Sequence, residues 1–184
     1  MIPHGYVARD TNKKVPGNLQ TVRDERMKRE DVENAIREYE GKIGEVIGVS
    51  RKFVIDQKMN DIFGTIIENP DPMHNDPEWA AASPLGGTVV YGWLQLALTT
   101  VIWKDLGLPL VTSNEAYALS YGVDKVRFTS GLRVGVPVQG TVRILEIKRR
   151  KEDQVLWRYE VTLNQEGSEK PTMVAEVILA LVYY

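Results

Sequence analysis

The sequence predicts an α+β domain in which an antiparallel sheet curls around one buried helix. Residues 88–106 are apolar on nearly every side, as a helix surrounded by protein requires. Four later segments, residues 117–128, 136–148, 155–163 and 172–184, alternate apolar and polar side chains with the period of two that is typical of strands. One helix followed by a meander of strands indicates this α+β arrangement.

The composition is that of an ordinary globular protein with one domain. Its 184 residues are 43% hydrophobic and 26% charged, with a net charge of −2, so we expect no nucleic-acid partner. The absence of cysteine excludes disulfides, thiolate nucleophiles and cysteine-ligated zinc. The first residues lack the apolar run of a signal peptide, and Gln95 and Lys104 interrupt the apolar segment. These features predict a soluble cytoplasmic protein without a membrane partner.

The N-terminal region predicts a loose arm followed by a charged helix. Residues 1–20 are polar, whereas residues 21–40 have helical charge pairs, a capping-box spacing at Thr21 and Asp24, and Gly41 as a stop. The apolar stripe of this helix is narrow, which predicts that it leans on the body or on a second subunit. We divide the chain into residues 1–41 and a main domain, residues 42–184.

The main domain begins with a predicted strand at residues 48–55. Asp56 can cap a short helix through Ile67, which has four apolar side chains at helical spacing: Met59, Ile62, Phe63 and Ile66. Prolines 70, 72 and 77 forbid the helix from continuing and predict a rigid loop. A helical turn at residues 78–82, capped by Asp76, follows it.

The loop carries the most informative motif of the chain. Residues 68–76 read Glu-Asn-Pro-Asp-Pro-Met-His-Asn-Asp and hold one of only two histidines. This stretch resembles the active-site segment of the MaoC-like dehydratases, or R-specific enoyl-CoA hydratases, whose pattern is Gly-Asp-x-Asn-Pro-x-His-x-Asp. His74, Pro72 and Asp76 match that pattern. The family's catalytic Asp is Asn69 here, and its Asn is Asp71.

Two further segments support the resemblance. Residues 83–92, Ser-Pro-Leu-Gly-Gly-Thr-Val-Val-Tyr-Gly, resemble the glycine-rich Ala-His-Gly start of the family's central helix. Residues 121–128 resemble the nodulation-protein-N-like branch. The resemblance covers residues 42–184 and implies a hot-dog fold, an antiparallel sheet wrapped around a long central helix, with an added N-terminal helix. It also implies homodimers or higher oligomers, since hot-dog domains pair edge to edge.

The resemblance implies the hydration of an enoyl thioester or the reverse dehydration. This chemistry requires an acid and base, and donors for the enolate oxygen that develops on the thioester. In this sequence His74 matches the acid/base and the Gly92 N–H matches the oxyanion donor. Gly87 and Tyr91 belong to the same segment as Gly92, and we expect them to contact the substrate. Tyr91 replaces a frequent His and could reach the substrate, line the acyl channel or fill the core.

Asn69 leaves three interpretations open, because an amide cannot ionise. His74 could act alone on a water that Asn69 positions, Asp71 could supply the missing carboxylate, or catalysis could be lost while binding is retained. Both residues could also simply form turns, since Asn-Pro and Asp-Pro are common there. The third interpretation, in which catalysis is lost and binding is retained, gives an alternative function: a non-catalytic or repurposed module that binds an acyl thioester or a partner subunit.

The expected partner is an acyl-CoA or an acyl-carrier thioester, and no cofactor is required. Coenzyme A carries phosphates, and Lys125 and Arg127 on one predicted strand face are candidates to bind them. Two histidines far apart in sequence give no metal signature. A phosphate loop and the Gly-x-Ser-x-Gly motif of serine hydrolases are both absent.

Overall fold

The computed structural model describes residues 19–108 and 116–183, with side chains from residue 29 onward except at residue 116. Helix α1, Leu19–Glu40, confirms the predicted charged helix. The predicted arm ended at residue 20, but residues 19 and 20 already belong to α1. The rest of the arm, residues 1–18, and the capping-box side chains lie outside the described residues. No helix within the described ranges is both long and apolar enough to cross a membrane.

Helix α1 leans on the body of the protein, one of the two placements that its narrow stripe predicted. Val32 and Ala35 are fully buried, and Tyr39 is 7% exposed. The Tyr39 ring packs edge-on against Trp157, with 5.0 Å between ring centroids. A guanidinium of Arg149 pairs with Glu33 on the same helix. The added helix therefore extends the core.

A five-stranded antiparallel sheet forms the body. Its order is β1-β3-β4-β5-β2, with bounds Val46–Val49 for β1, Ala116–Phe128 for β2, Val138–Lys151 for β3, Gln154–Gln165 for β4 and Met173–Tyr183 for β5. The predicted alternation of β4 is confirmed, because one face of that strand is fully buried: Val155, Trp157, Tyr159, Val161 and Leu163. This face supplies much of the core beneath the helices.

The first strand begins two residues earlier than the predicted residue 48 and ends well before the predicted residue 55. β1 ends at Val49, and only an isolated bridge from Phe53 to Val138 continues its direction. Ser50 explains the end of regular pairing, since its hydroxyl accepts the Gly140 N–H at 3.0 Å in place of a strand carbonyl. A side chain that takes a backbone donor interrupts a ladder.

The central helix differs from the prediction in two ways. It begins at Gly92 rather than near residue 88, and it consists of α5, Gly92–Ala97, and α6, Thr99–Leu106. Residues 88–90 are extended because they bond to residues 132–134, including Val90 N–H to Leu132 O at 2.8 Å. The break after Ala97 coincides with two threonine hydroxyls that bond to carbonyls three residues back. Gly107, at φ +64°, ends α6 as predicted.

Strand β2 lies at the edge of the sheet and is exposed on both faces. Five of its apolar side chains are 40% to 49% exposed: Tyr117, Leu119, Tyr121, Val123 and Phe128. Such a surface on a long edge strand is unusual for an isolated domain, because edges of this kind pair with other chains.

Candidate active site

The loop begins where helix α2, Gln57–Ile66, ends. The Asn69 N–H bonds to Gly64 O at 3.0 Å, and the Glu68 N–H bonds to Thr65 O at 3.2 Å. This pattern is a Schellman motif, in which the residue after the helix takes a left-handed conformation. That residue is Glu68, with φ +54°. Asp56 caps the start of α2 as predicted, accepting the Met59 N–H at 2.8 Å.

Two short helices follow. Helix α3, Pro72–Asn75, contains His74, so the predicted loop includes a helical turn. Helix α4, Pro77–Ala82, confirms the predicted turn, and Asp76 caps it by accepting the Trp79 N–H at 3.0 Å. Asp71 caps α3 in the same way, accepting the Met73 N–H at 3.0 Å. One Asp71 oxygen is therefore occupied in forming the turn that carries His74.

The imidazole of His74 has a defined tautomer. Its Nδ1 lies 2.7 Å from the backbone carbonyl oxygen of Val89. A carbonyl can only accept a hydrogen bond, so Nδ1 carries a proton, and in the neutral imidazole the lone pair lies on Nε2. The partly buried ring stacks on Tyr91 with 3.8 Å between centroids. Within the described residues, Nε2 has no protein partner and is free to accept a proton.

Asn60 connects the His74 loop to the start of the central helix. Its side chain is fully buried. The amide nitrogen donates to His74 O at 2.8 Å and to Val89 O at 3.1 Å, and the amide oxygen accepts the Tyr91 N–H at 3.2 Å. This one amide therefore fixes the backbone on both sides of the imidazole.

Helix α2 exposes three of its four apolar side chains at helical spacing, and of these four only Phe63 is partly buried against the core. Its inward positions include Asn60 and Gly64, whereas Met59, Ile62 and Ile66 are 38%, 50% and 71% exposed. Sequence reasoning missed Asn60; the available signal was an amide between the apolar positions of an amphipathic helix.

More side chains support the same segment. Gln57 donates to His74 O and to Asp61 Oδ1, both at 2.8 Å, and accepts the Thr88 hydroxyl at 2.7 Å. Asn75 donates to Asp61 Oδ1 at 2.8 Å, which turns its own oxygen toward the interior. The loop around His74 is therefore held by side-chain hydrogen bonds on several sides.

Tyr91 directs its hydroxyl into the protein. The hydroxyl oxygen lies 2.5 Å from Asn75 Oδ1 and 2.8 Å from the backbone oxygen of Asn69. A side chain at Gly64 would obstruct it, because a Cβ there would lie 2.7 Å from that hydroxyl. With Tyr91 only 3% exposed, this geometry favours the interpretation as a core aromatic that supports the backbone of Asn69.

The Asn69 and Asp71 side chains do not bond to the imidazole of His74, although the Asp71 backbone carbonyl accepts the His74 N–H at 2.9 Å. The Asn69 side chain is exposed and forms no hydrogen bond with the described residues. Asp71 is partly buried and caps α3. The side-chain amide of Asn69, on the same loop as His74, is therefore free to bind a ligand or water, whereas one oxygen of the Asp71 carboxylate is already used to cap α3.

Gly92 is the first residue of α5, where backbone N–H groups have no partner within the helix. A Cβ at Gly92 would lie 2.7 Å from the Phe128 ring, so only glycine lets that ring cover the helix start. Gly87, at φ +150°, accepts a hydrogen bond from Arg133 Nη1 through its carbonyl at 3.0 Å. Both glycines lie in the segment that contacts the His74 ring through Val89.

Of the two cations expected to meet phosphate, Lys125 pairs with a carboxylate, whereas Arg127 bonds only to a backbone carbonyl. Lys125 Nζ pairs with Glu176 at 2.6 Å, and this bond, helped by Arg158, holds the pKa of Glu176 below its usual range. Arg127 donates to the neighbouring Val126 carbonyl at 2.8 Å. The pairing of β2 with β5 shifts register between Asp124 and Arg127, which interrupts the regular alternation of side chains between the two faces of the strand. The prediction that Lys125 and Arg127 share one face depended on that alternation.

An apolar groove of about 250 Å³ runs between the central helix and strand β2. Its lining includes Leu96, Ala97, Thr100, Trp103, Tyr121 and Val123. It lies along α5 and α6 beyond Gly92, on the side of the exposed edge strand. The described residues contain no group of three or more acidic, His or Cys side chains that could hold a metal ion.

Comparisons with known proteins agree with these features. Residues 38–165 match the family model of the MaoC like domain. Nodulation protein N of Rhizobium meliloti is 34% identical over 137 residues, covering 74% of this chain and 84% of that protein. The 3-hydroxyacyl-thioester dehydratase Z of Mycobacterium tuberculosis is 32% identical over 139 residues, covering 76% and 90%. A MaoC-like dehydratase structure from Rhodospirillum rubrum aligns with a TM-score of 0.63 at 18% identity, covering 77% and 93%, which confirms the hot-dog fold.

Proposed function

The chain belongs to the MaoC-like dehydratase family, and from this premise we propose that it adds water to enoyl thioesters or removes it from 3-hydroxyacyl thioesters. The observation that carries the proposal is the fixed tautomer of His74, whose Nδ1–H bonds to Val89 O at 2.7 Å. A neutral imidazole with an unprotonated Nε2 is a general base at neutral pH.

In the proposed hydration, His74 moves both protons. Nε2 takes one proton from water while the water oxygen bonds to the β carbon of the enoyl thioester. The electron pair of the double bond shifts to the thioester carbonyl, and the Gly92 N–H stabilises the resulting enolate oxygen. The imidazolium then returns its proton to the α carbon, which gives the 3-hydroxyacyl thioester.

Asn69 has the role of positioning water. An amide donates and accepts hydrogen bonds but cannot take a proton, so it can orient the water that His74 deprotonates. The exposed side chain of Asn69, on the same loop as His74, supports this role. Tyr91 supports the loop from inside, through its contact with the Asn69 carbonyl.

We place the acyl chain in the groove along α5 and α6. The groove is mainly apolar, and Trp103 forms part of its wall. Apolar lining is the usual property of a site for an alkyl chain. The thioester carrier is coenzyme A or an acyl carrier protein, and the mechanism requires no cofactor.

The proposal includes a homodimer in the cytoplasm. The exposed apolar face of β2 supports a second copy at that edge, because a long edge strand with such side chains is protected when it pairs. Tyr121 and Val123 belong both to this strand and to the groove. A dimer at β2 would therefore also close the groove.

The direct test uses crotonyl-CoA and purified protein. We expect the absorbance of the conjugated enoyl thioester to fall and 3-hydroxybutyryl-CoA to form, identified by mass and by chromatography on a chiral phase. In deuterium oxide, one deuterium should enter at the α carbon, as the proton return from His74 requires. An unchanged thioester across short, branched and aromatic enoyl chains would rule out the activity.

Asn69 itself favours a second candidate, a module that binds acyl thioesters without converting them. Loss of one proton-transfer partner commonly costs about 10²–10⁴-fold in rate. Calorimetry with crotonyl-CoA separates the two functions: tight binding with complete recovery of the thioester identifies the binding module, and conversion to the hydroxyacyl product identifies the enzyme.

A further inference from the structure

Arg133 is a partly buried cation without an acidic partner. Among the arginine and lysine side chains that the structure describes, only Arg133, Arg149 and Arg158 are partly buried. Arg149 and Arg158 form ion pairs with carboxylates. The guanidinium of Arg133 makes one hydrogen bond, from Nη1 to the Gly87 carbonyl. No carboxylate within the described residues neutralises it.

This arrangement leaves a strong binding capacity unused. A guanidinium has five N–H donors in a planar fork, and a carbonyl oxygen satisfies one of them without neutralising the charge. Charges drawn away from water are normally paired, because desolvation without a partner is costly. Burial, charge and free donors together favour an anionic ligand with several acceptor oxygens.

The guanidinium of Arg133 lies close to the candidate active site. Arg133 forms an antiparallel bridge with Val89, the residue whose carbonyl holds His74 Nδ1. Its Nη1 and Nη2 lie 3.4 and 3.9 Å from the points where Cβ atoms of Gly87 and Gly86 would stand. Because Gly87 and Val89 are two residues apart, the guanidinium lies within roughly 13 Å of the imidazole. The two glycines add no side chain that would cover it.

We propose that Arg133 binds a phosphate group of the thioester carrier. The inference rests on the proposed function, which places a coenzyme A or phosphopantetheine thioester at His74. In both carriers a pantetheine arm separates the thioester from the phosphate. A planar fork suits bidentate contact with phosphate. Of the two cations first expected to meet phosphate, Lys125 is already paired with Glu176 and Arg127 is exposed, so neither is a partly buried cation without an acidic partner.

The test compares three substrates with and without phosphate. Crotonyl-CoA, crotonyl-phosphopantetheine and crotonyl-pantetheine are assayed with the natural protein and with Arg133→Gln. We expect Arg133→Gln to raise KM for the phosphate-bearing thioesters about tenfold to hundredfold more than KM for crotonyl-pantetheine. A rise for crotonyl-CoA alone assigns the contact to the nucleotide phosphates, and a rise for both assigns it to the phosphate on pantetheine. An equal change for all three substrates, or none, overturns the proposal.

Control variants separate phosphate binding from a general loss of charge or of fold. Arg51→Gln removes an exposed cation that pairs with Asp105 at 3.3 Å, and its KM values should not change. Arg133→Lys keeps the charge without the fork, so its KM should lie between those of the natural protein and Arg133→Gln. The thermal unfolding midpoint of each variant verifies that it is folded.

Calorimetry with coenzyme A alone makes the result independent of turnover. The natural protein should bind coenzyme A, and Arg133→Gln should bind it about tenfold more weakly or worse. If this difference is found without any hydration, the phosphate site stands and the proposed reaction fails. If hydration occurs but both proteins bind coenzyme A equally, the reaction stands and the role of Arg133 is wrong.

Discussion

The Nδ1 atom of His74 lies 2.7 Å from the carbonyl oxygen of Val89, three residues before the central helix begins. This hydrogen bond fixes the tautomer of the imidazole and joins the His74 loop to the segment that carries Gly92. Asn60 bonds to the backbone of both partners. The proposed base and the proposed oxyanion donor are therefore held by one connected set of hydrogen bonds.

We predict that Asn60→Ala destabilises the protein and impairs activity together. The change leaves the Tyr91 N–H without its acceptor and removes one donor from His74 O and from Val89 O. The free energy of unfolding in urea should fall by about 1–3 kcal/mol, and kcat should fall because the imidazole is less well oriented. Lys58→Ala, an exposed change on the same helix, is the control. Equal stability of the two variants would contradict the role of Asn60.

Glu68→Gly should stabilise the protein. Glu68 has φ +54° at the end of α2, a conformation that disfavours residues with a Cβ, and the family pattern has Gly at this place. Relief of this strain, less the greater freedom of glycine in the unfolded chain, should raise the free energy of unfolding by about 0.5–1 kcal/mol. Glu68→Ala retains the Cβ and should gain nothing. If Glu68→Ala gains as much, the charge rather than the backbone is responsible.

Alkaline pH should weaken the packing of α1. Burial, and then the neighbouring Glu38, raises the pKa of Tyr39 from 10.0 to about 12. The folded protein thus holds the neutral phenol, so this contribution to stability is complete below pH 10 and is lost as the pH rises toward 12. Urea unfolding across this range should show a decline that is smaller in Tyr39→Phe. A decline of equal size in that variant would exclude Tyr39 as its source.

The sequence predicted those parts of the fold whose patterns are local. Strict alternation in β4 indicated its buried face, and the prolines around His74 indicated the end of α2. The start of the central helix could not be read in this way, because residues 88–90 are equally compatible with a helix. Their bonds to residues 132–134, distant in sequence, make them extended.

The sequence motif predicted several residues of the candidate site, but it did not predict the contacts that support them. His74, Asn69 and Gly92 followed from the resemblance, but Asn60 and Arg133 did not. Both side chains bond to backbone groups that are distant in sequence and close only in the folded protein, so no sequence pattern indicates these contacts. The pairing of Lys125 with Glu176 on β5 was hidden for the same reason, since it depends on the register of two strands.

Asn69→Asp should raise the hydration rate. A carboxylate at this position would share proton transfer with His74, as the family pattern implies, and a restored partner is worth about 10²-fold or more. Asn69→Ala, which only removes the amide, is the control and should lower kcat. If Asn69→Asp is no faster than the natural protein, the prediction is wrong, and an amide that positions water is sufficient for the hydration.

The central claim is that His74 Nε2 transfers the protons of an enoyl thioester hydration. The most direct measurement is the rate of absorbance loss of crotonyl-CoA with the natural protein and with His74→Ala, after both are shown to be folded and to bind coenzyme A. We predict measurable hydration by the natural protein and a fall of at least about 10²-fold in kcat for His74→Ala. Equal rates in the two proteins would contradict the claim.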